Sequence, residues 1–352
     1  MVKGDLVPFS DVDWDRLDKF EDRTVFQTRE WLEFVAETQN ARPVVLELRD
    51  NSAIVGYFSG LTFTAFGVKI LASWFPGWTT PYMGFNLLPG IPRAAALAAV
   101  EEAAFGKLRC LHLEVCDPCF SPEDGRGLGF ACESFPTYRT DLRKSEADIF
   151  NGMTSACRRC IRKAEKCGVV VEEAHDLGFA DEYYEQLKEV YAKQRLVPSY
   201  GIDRVRALIK HLEPTGRLLL LRARDPHGRC IATGLFPGFN KMAEFWGAAS
   251  FQSGQILRPN ETIQWYAMRY WKSRGLETYD WGGENPYKEK YGCVPFSAPR
   301  FSKSRYKLLA KLRDGMQKVM QGRQSLLGLV TRQIARARST DADAPPGASN
   351  ED

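Results

Sequence analysis

Two periods of apolar spacing run along this chain, and the order in which they occur repeats. From Arg42, RPVVLELRDNSAIVGYFSG reads as a strand, a turn at Arg-Asp-Asn and a second strand. From Arg217, RLLLLRARDPHGRCIATGLFPG gives the same sequence of features: an arginine, four apolar-rich positions, Arg-Asp, a turn and another strand. Apolar residues at helical spacing precede each, in TREWLEFVAET and EYYEQLKEVYAKQ. Each is followed by a helix running into a buried strand, in AAALAAVEEAAFGKLRCLHLEV and NETIQWYAMRYWKSRGLETYDW. Helix, antiparallel strands, helix, strand therefore occurs twice, which predicts two tandem α/β units, each a mixed, mostly antiparallel sheet flanked by helices. The first is placed at 1–140 and the second at 141–302.

Length agrees with this division, since 352 residues suit roughly two domains plus a tail. Forty-eight Lys and Arg against 44 Asp and Glu leave a net charge of +4, so polyanion binding would have to come from a local patch. No segment approaches the ~18 uninterrupted apolar residues of a membrane span, and the N-terminal stretch does not read as a secretory signal. A cytoplasmic protein is expected, with the nine scattered cysteines as reduced thiols. Cys116/Cys119 and Cys157/Cys160 have metal-ligand spacing but no nearby histidines, so no metal is expected.

The stretch YDWGGENPYKEKYG, Tyr279 to Gly292, is the most informative. As a strand end it sends Tyr279 and Trp281 one way and Asp280 the other. Gly282 and Gly283 then permit a sharp turn or close approach of a ligand. On this stretch, the basic opening RRCIRKAEKCGV and the FWGAAS segment, the chain resembles the FemAB family and its BioF2-like (CelD-type) relatives, tandem members of the GNAT acyltransferase superfamily. The resemblance spans about residues 20–302 and is strongest from Arg158 to Gly292. The family's Tyr-Asp-Leu-Gly-Gly appears with Trp281 in third place, and its Phe-Lys-x-x-Phe-Gly appears as Tyr287 to Gly292.

This resemblance implies transfer of an acyl or aminoacyl group to an amine. Lys288 is the candidate for stabilising the oxyanion, the alternative being a surface lysine in a turn. Asp280 is the candidate for positioning the amine or accepting its proton; capping the turn or pairing with Lys288 is the alternative. Gly282, Gly283, Tyr287, Tyr291, Trp246 and Tyr266 are expected around the same cleft. Arg158, Arg159 and Arg162, with Lys163 and Lys166, crowd one helix whose guanidinium forks suit a phosphate-bearing substrate, or else form a solvated face.

For the donor, FQSGQILRPNETIQWY supplies Gln252, Gly254 and Arg258 but not the full GNAT pyrophosphate spacing, and Asn260 is read as the cap of the next helix. Acyl-CoA, such as acetyl-CoA, is the expected donor, with aminoacyl-tRNA as in FemAB transferases the alternative. The expected acceptor is a small-molecule or lipid-linked amine of a cell-envelope or polysaccharide precursor. Beyond the second unit, 303–338 reads as a basic amphipathic helix suited to peripheral membrane contact or to packing, and 339–352 as a disordered tail. The competing class is a noncatalytic double-GNAT protein that binds RNA or anionic lipid.

Overall fold

The chain folds into one long twisted sheet carrying helices on both faces, and a computed structural model describes residues 2–65, 67–75 and 77–306. In the first half lie β1 (Val2–Val7), α1 (Trp14–Leu17), α2 (Arg29–Gln39), β2 (Arg42–Asp50), β3 (Ala53–Ala65), β4 (Val68–Ala72), β5 (Gly84–Leu87), α3 (Arg93–Glu102), β6 (His112–Cys116), α4 (Glu123–Arg126) and β7 (Ala131–Asp141). There follow α5 (Glu146–Gly152), α6 (Ser155–Lys166), β8 (Val170–Glu173), α7 (Gly178–Lys193), α8 (Ile202–Leu212), β9 (Leu218–Arg224) and β10 (Cys230–Phe239). Last come β11 (Met242–Glu244), β12 (Gly247–Ser250), α9 (Pro259–Ser273), β13 (Thr278–Asp280) and β14 (Val294–Ser304).

Both hairpins read from the sequence form, as β2–β3 and β9–β10. Asn51 takes the left-handed φ of 54° that the first turn needs, which asparagine tolerates better than most residues. The helices ahead of them form for the reasons their spacing gave. On α2, Trp31, Leu32, Phe34 and Val35 are buried along one face, each contributing roughly 1.5–3 kcal/mol by leaving water. The Thr28 side chain caps this helix by accepting from the Trp31 amide.

Strand order is β1-β2-β3-β4-β6-β14-β7-β13-β11-β10-β9-β8, with β5 against β3 and β12 against β10. Two pairings are parallel, β4 with β6 and β11 with β13, one in each half, as duplication requires. Their last registered pairs are Ala72 with Glu114 and Glu244 with Asp280. At equivalent places the first half thus carries one acid and the second half two facing acids.

The halves are joined in two ways. β14 leaves the second half and lies between β6 and β7, pairing with both. A shared core packs Trp31, Leu32 and Phe34 of α2 with Val205, Leu208 and Leu212 of α8, while two further cores lie mainly in one half each, Phe301 of β14 joining the first and Tyr138 of β7 the second. A division at 140 falls within β7, which pairs with both β14 and β13.

Lys303 and Ser304, read as the start of the C-terminal helix, instead continue β14, because their backbones pair with Leu113 and His112. The remainder of that expected helix and the tail, from residue 307, lie outside the described residues. No helix among the described residues is long and apolar enough to cross a membrane.

Candidate active site

At the end of β13 the alternation read from the motif holds. Tyr279 and Trp281 enter the second-half core, where the Tyr279 hydroxyl donates to Gln264 Oε1 at 2.7 Å and the Trp281 indole to Thr140 Oγ1 at 3.0 Å. Asp280 points to the other face and is fully buried. Its carboxylate accepts from the Tyr82 hydroxyl at 2.6 Å, Thr137 Oγ1 at 2.8 Å, Arg139 Nε at 2.9 Å and the Gly282 amide at 3.0 Å. Four donors on one carboxylate fix its position. Its ion pair is with Arg139, on the neighbouring strand β7, rather than with Lys288.

Glu244 lies beside it on β11, directly across the register. This glutamate is buried, and among the described residues its Oε2 has no hydrogen-bond partner. Burial first, and then the negative charge of Asp280, push its carboxyl well above the ordinary range, against opposing pulls from Lys288 and Arg139. A buried carboxyl with an open acceptor atom and a displaced protonation equilibrium has the character of a group that exchanges a proton.

Gly282 makes room for this pair, whereas a Cβ at Gly283, with φ 101°, would meet nothing within 4 Å. Gly282 has φ 64°, and a Cβ there would lie 2.7 Å from the Phe245 carbonyl and 2.8 Å from Glu244 Oε1. Only a hydrogen fits, because the chain must reverse against the Glu244 carboxylate. Gly282→Ala is therefore expected to lower stability by about 1–3 kcal/mol, measured by denaturant unfolding.

After that reversal, Asn285 caps a short 3₁₀ turn, Pro286–Tyr291, by accepting from the Tyr287 amide. The turn carries Lys288 back over the strand end. Lys288 is 6% exposed, and its ammonium donates to the Trp281 carbonyl at 2.5 Å and the Gly283 carbonyl at 2.9 Å. The rings of Phe245 and Tyr287 lie 5.5 and 5.9 Å from Nζ. Burial lowers its pKa, an effect that Glu244 and Asp280 only partly offset. With two carbonyl acceptors and acids nearby, a cation with one N–H left to give is the state we assign. Tyr291 closes the turn from below, stacked on Trp281 at 4.6 Å.

Past Glu244 the sheet divides. β12 pairs with β10, and on its other side β13 has already turned away at Gly282. Phe245, Trp246, Gly247 and Ala248 are left half-buried along the opening, next to Glu244 and Lys288. Such a split gives an extended substrate a strip of strand backbone to lie against.

Other residues singled out from the sequence sit as follows. Trp246 borders the opening, its indole donating to the Thr79 carbonyl at 3.1 Å and its ring 5.5 Å from Tyr200. Tyr266 is elsewhere, bonded to Glu173 of the edge strand β8. On α6, Arg158 turns inward to the carbonyls of Asn151 and Met153, whereas Arg159 and Arg162 are exposed, Arg162 over the Phe150 ring. Gln252 and Gly254 lie in a 3₁₀ turn, and Arg258 ends it with φ 60°. Asn260 does not cap α9. Pro259 fills the first helical position, where its missing N–H costs nothing, so Arg258 becomes the cap residue and Asn260 donates to Ser250 Oγ instead.

Glu244, Arg139, Thr137 and Tyr82 are the site residues that the sequence reading missed. One signal was present for Glu244, an acid within the apolar strand that leads into FWGAAS.

Residues 153–289 match the model of the acetyltransferase (GNAT) domain. No protein of curated function matches the chain. Among solved structures, FemX shares 13% identity at a TM-score of 0.73, over 88% of this chain and 99% of that one. A tandem GNAT protein from the clavulanic acid biosynthesis pathway shares 11% at 0.53, over 86% and 98%. L-PGS from Bacillus licheniformis shares 11% at 0.51, over 87% and 96%. The fold is a FemAB-like tandem GNAT. The matched stretch contains Glu244, Asp280 and Lys288, while Tyr82, Thr137 and Arg139 lie outside it.

Proposed function

We propose that this protein is an N-acyltransferase that moves an acyl or aminoacyl group from an activated ester to a primary amine. The observation that carries this reading is the pair at the sheet opening: a buried carboxyl with a free acceptor atom, Glu244, and a buried ammonium held by two carbonyls, Lys288. The amine nitrogen attacks the acyl carbonyl and forms the new C–N bond. The remaining N–H of Lys288 meets the oxygen that becomes negative. Glu244, in its ionised form, takes the proton released by the attacking nitrogen. The carbonyl then re-forms, the ester bond breaks, and that proton leaves with the departing oxygen or sulfur. Asp280 fixes the geometry of this pair instead of taking the proton itself, since its acceptor positions are already filled.

Coenzyme A is a poor fit at the loop where a GNAT enzyme would cradle a pyrophosphate. The Gln252 amide is taken by the Glu189 carboxylate at 2.6 Å, the Gly254 amide by the Phe251 carbonyl, and the Arg258 amide by the Gln255 carbonyl. Pro259 has no amide to offer. In the first turn of α9, Glu261 pairs with Lys290. Two carboxylates and a self-bonded turn disfavour a diphosphate. We therefore place aminoacyl-tRNA ahead of acyl-CoA as donor, with exposed Arg159, Arg162, Lys163 and Lys166 of α6 as its phosphate contacts. The acceptor we propose is an amine of a cell-envelope or polysaccharide precursor.

Mass spectrometry of an amine-bearing precursor after incubation with charged tRNA, or with acetyl-CoA, tests both steps. Mass added from neither donor to any amine offered would count against the reading. Arg159→Glu with Arg162→Glu is expected to raise KM for charged tRNA about tenfold or more, steeply with salt, at nearly constant kcat. An unchanged KM would remove α6 from donor binding.

A further inference from the structure

The loop between β4 and β5 belongs to the first half of the chain, yet it ends inside the site of the second. Its base is closed by the Met83 amide on the Ser73 carbonyl at 2.9 Å, and Ser73 is itself bonded to the backbone of β6. Midway, Thr80 accepts from the Trp31 indole at 3.0 Å, and the Thr79 and Gly77 carbonyls accept from Trp246 and from Arg204 of α8. At its end Tyr82 is fully buried, with its ring edge-on to Phe26 at 5.8 Å. Its hydroxyl receives a hydrogen bond from Arg139 Nη2 at 3.0 Å and donates to Asp280 Oδ2 at 2.6 Å.

We infer that Tyr82 is a positioning residue for acyl transfer: through its hydroxyl the first half holds the Asp280 carboxylate in place beside Glu244. The inference rests on the proposed role of Glu244. The titratable and charged groups facing the pair come from several elements, Tyr279 sharing β13 with Asp280. Arg139 lies on β7, Asp280 on β13, Lys288 on the 3₁₀ turn and Tyr82 on the loop, with the Cys116 thiol of β6 further off. Tyr82 is fully buried, its hydroxyl bonded to Asp280 and Arg139 and 3.6 Å from Met242 Sδ. It therefore acts on the proton and not on substrate affinity.

The sign follows from counting donors. Removing the hydroxyl takes one donor from the Asp280 carboxylate, so more of its negative charge acts unscreened on the Glu244 carboxyl, which that charge already raises. The Glu244 midpoint then moves to higher pH.

The test compares Tyr82→Phe with 3-fluorotyrosine placed at Tyr82, whose more acidic hydroxyl donates more strongly while hardly changing shape. Two readouts are followed: the pH profile of kcat/KM, and the ¹³C carboxyl titration of Glu244 in labelled protein. Tyr82→Phe is expected to raise both midpoints by roughly half to one unit, with kcat lower and the acceptor KM unchanged. The fluorinated protein is expected to lower both midpoints. A Glu244 titration that moves in neither protein overturns the inference, as does a shift in the same direction in both. The carboxyl titration reads this result whether or not transfer is detected. Failure of the acyltransferase reading is therefore told apart from failure of the positioning role.

Discussion

Glu244→Gln is expected to slow acyl transfer by about 10²–10⁴-fold and leave the fold intact, measured as kcat/KM beside denaturant unfolding. Glutamine keeps the shape that fits against Gly282 but takes no proton from an attacking amine. The pH dependence gives a sharper version of the same test. Burial and the charge of Asp280 raise the carboxyl of Glu244 in the folded protein above its unfolded value. Such a group favours folding most at low pH, and its contribution is lost as pH rises through the folded pKa. Activity should run the other way, rising with pH as the base form appears. The wild-type protein is thus expected to become more active and less stable as the carboxyl ionises. The glutamine variant should be flat in both over that range, and at high pH more stable than wild type. A variant that keeps the wild-type pH profile of activity would show that the base is another group.

Lys288→Met is expected to cost about 10²–10³-fold in kcat, equivalent to the ~2.7–4 kcal/mol lost when one oxyanion donor is removed from an acyl-transfer site. Methionine keeps the apolar stem beside Phe245 and Tyr287, so packing is largely preserved. The carbonyls of Trp281 and Gly283 lose a donor, and stability should fall by roughly 1–3 kcal/mol. Lys288 also opposes the upward displacement of Glu244. In its absence the residual activity should need a higher pH, a shift that separates loss of this cation from general damage. Full activity in Lys288→Met would take the ammonium out of the chemistry.

What the amino-acid pattern disclosed and what it hid have a common physical basis. Period and order are local properties, so both hairpins, the helices before them and the repeated helix–strand units were readable. So was the alternation that buries Tyr279 and Trp281 and turns Asp280 away. Contacts closed by the sheet are not local. Asp280 is held by Tyr82, Thr137 and Arg139, which come from a loop and a strand far away in sequence. Glu244 faces Asp280 only because β11 and β13 are parallel neighbours with α9 between them. Asn260 was assigned as a cap from residue type, and the proline before it decided otherwise. Tyr266 and Trp246 are both aromatic residues near the motif in sequence, but a helix carries one and the link between β11 and β12 the other, to different places.

The place of β14 governs how this molecule must assemble as it is made. Residues 294–304 supply the strand between β6 and β7, so during synthesis both of those edges stay unpaired until nearly every other strand has been built. Until then the first half holds a bare β6 edge, which invites pairing with other chains. Productive folding therefore depends on a late, long-range closure, intrinsically slow because its ends must first find each other. A nascent chain stalled before Val294 should be a client for chaperones, whereas one extended past Ser304 should not.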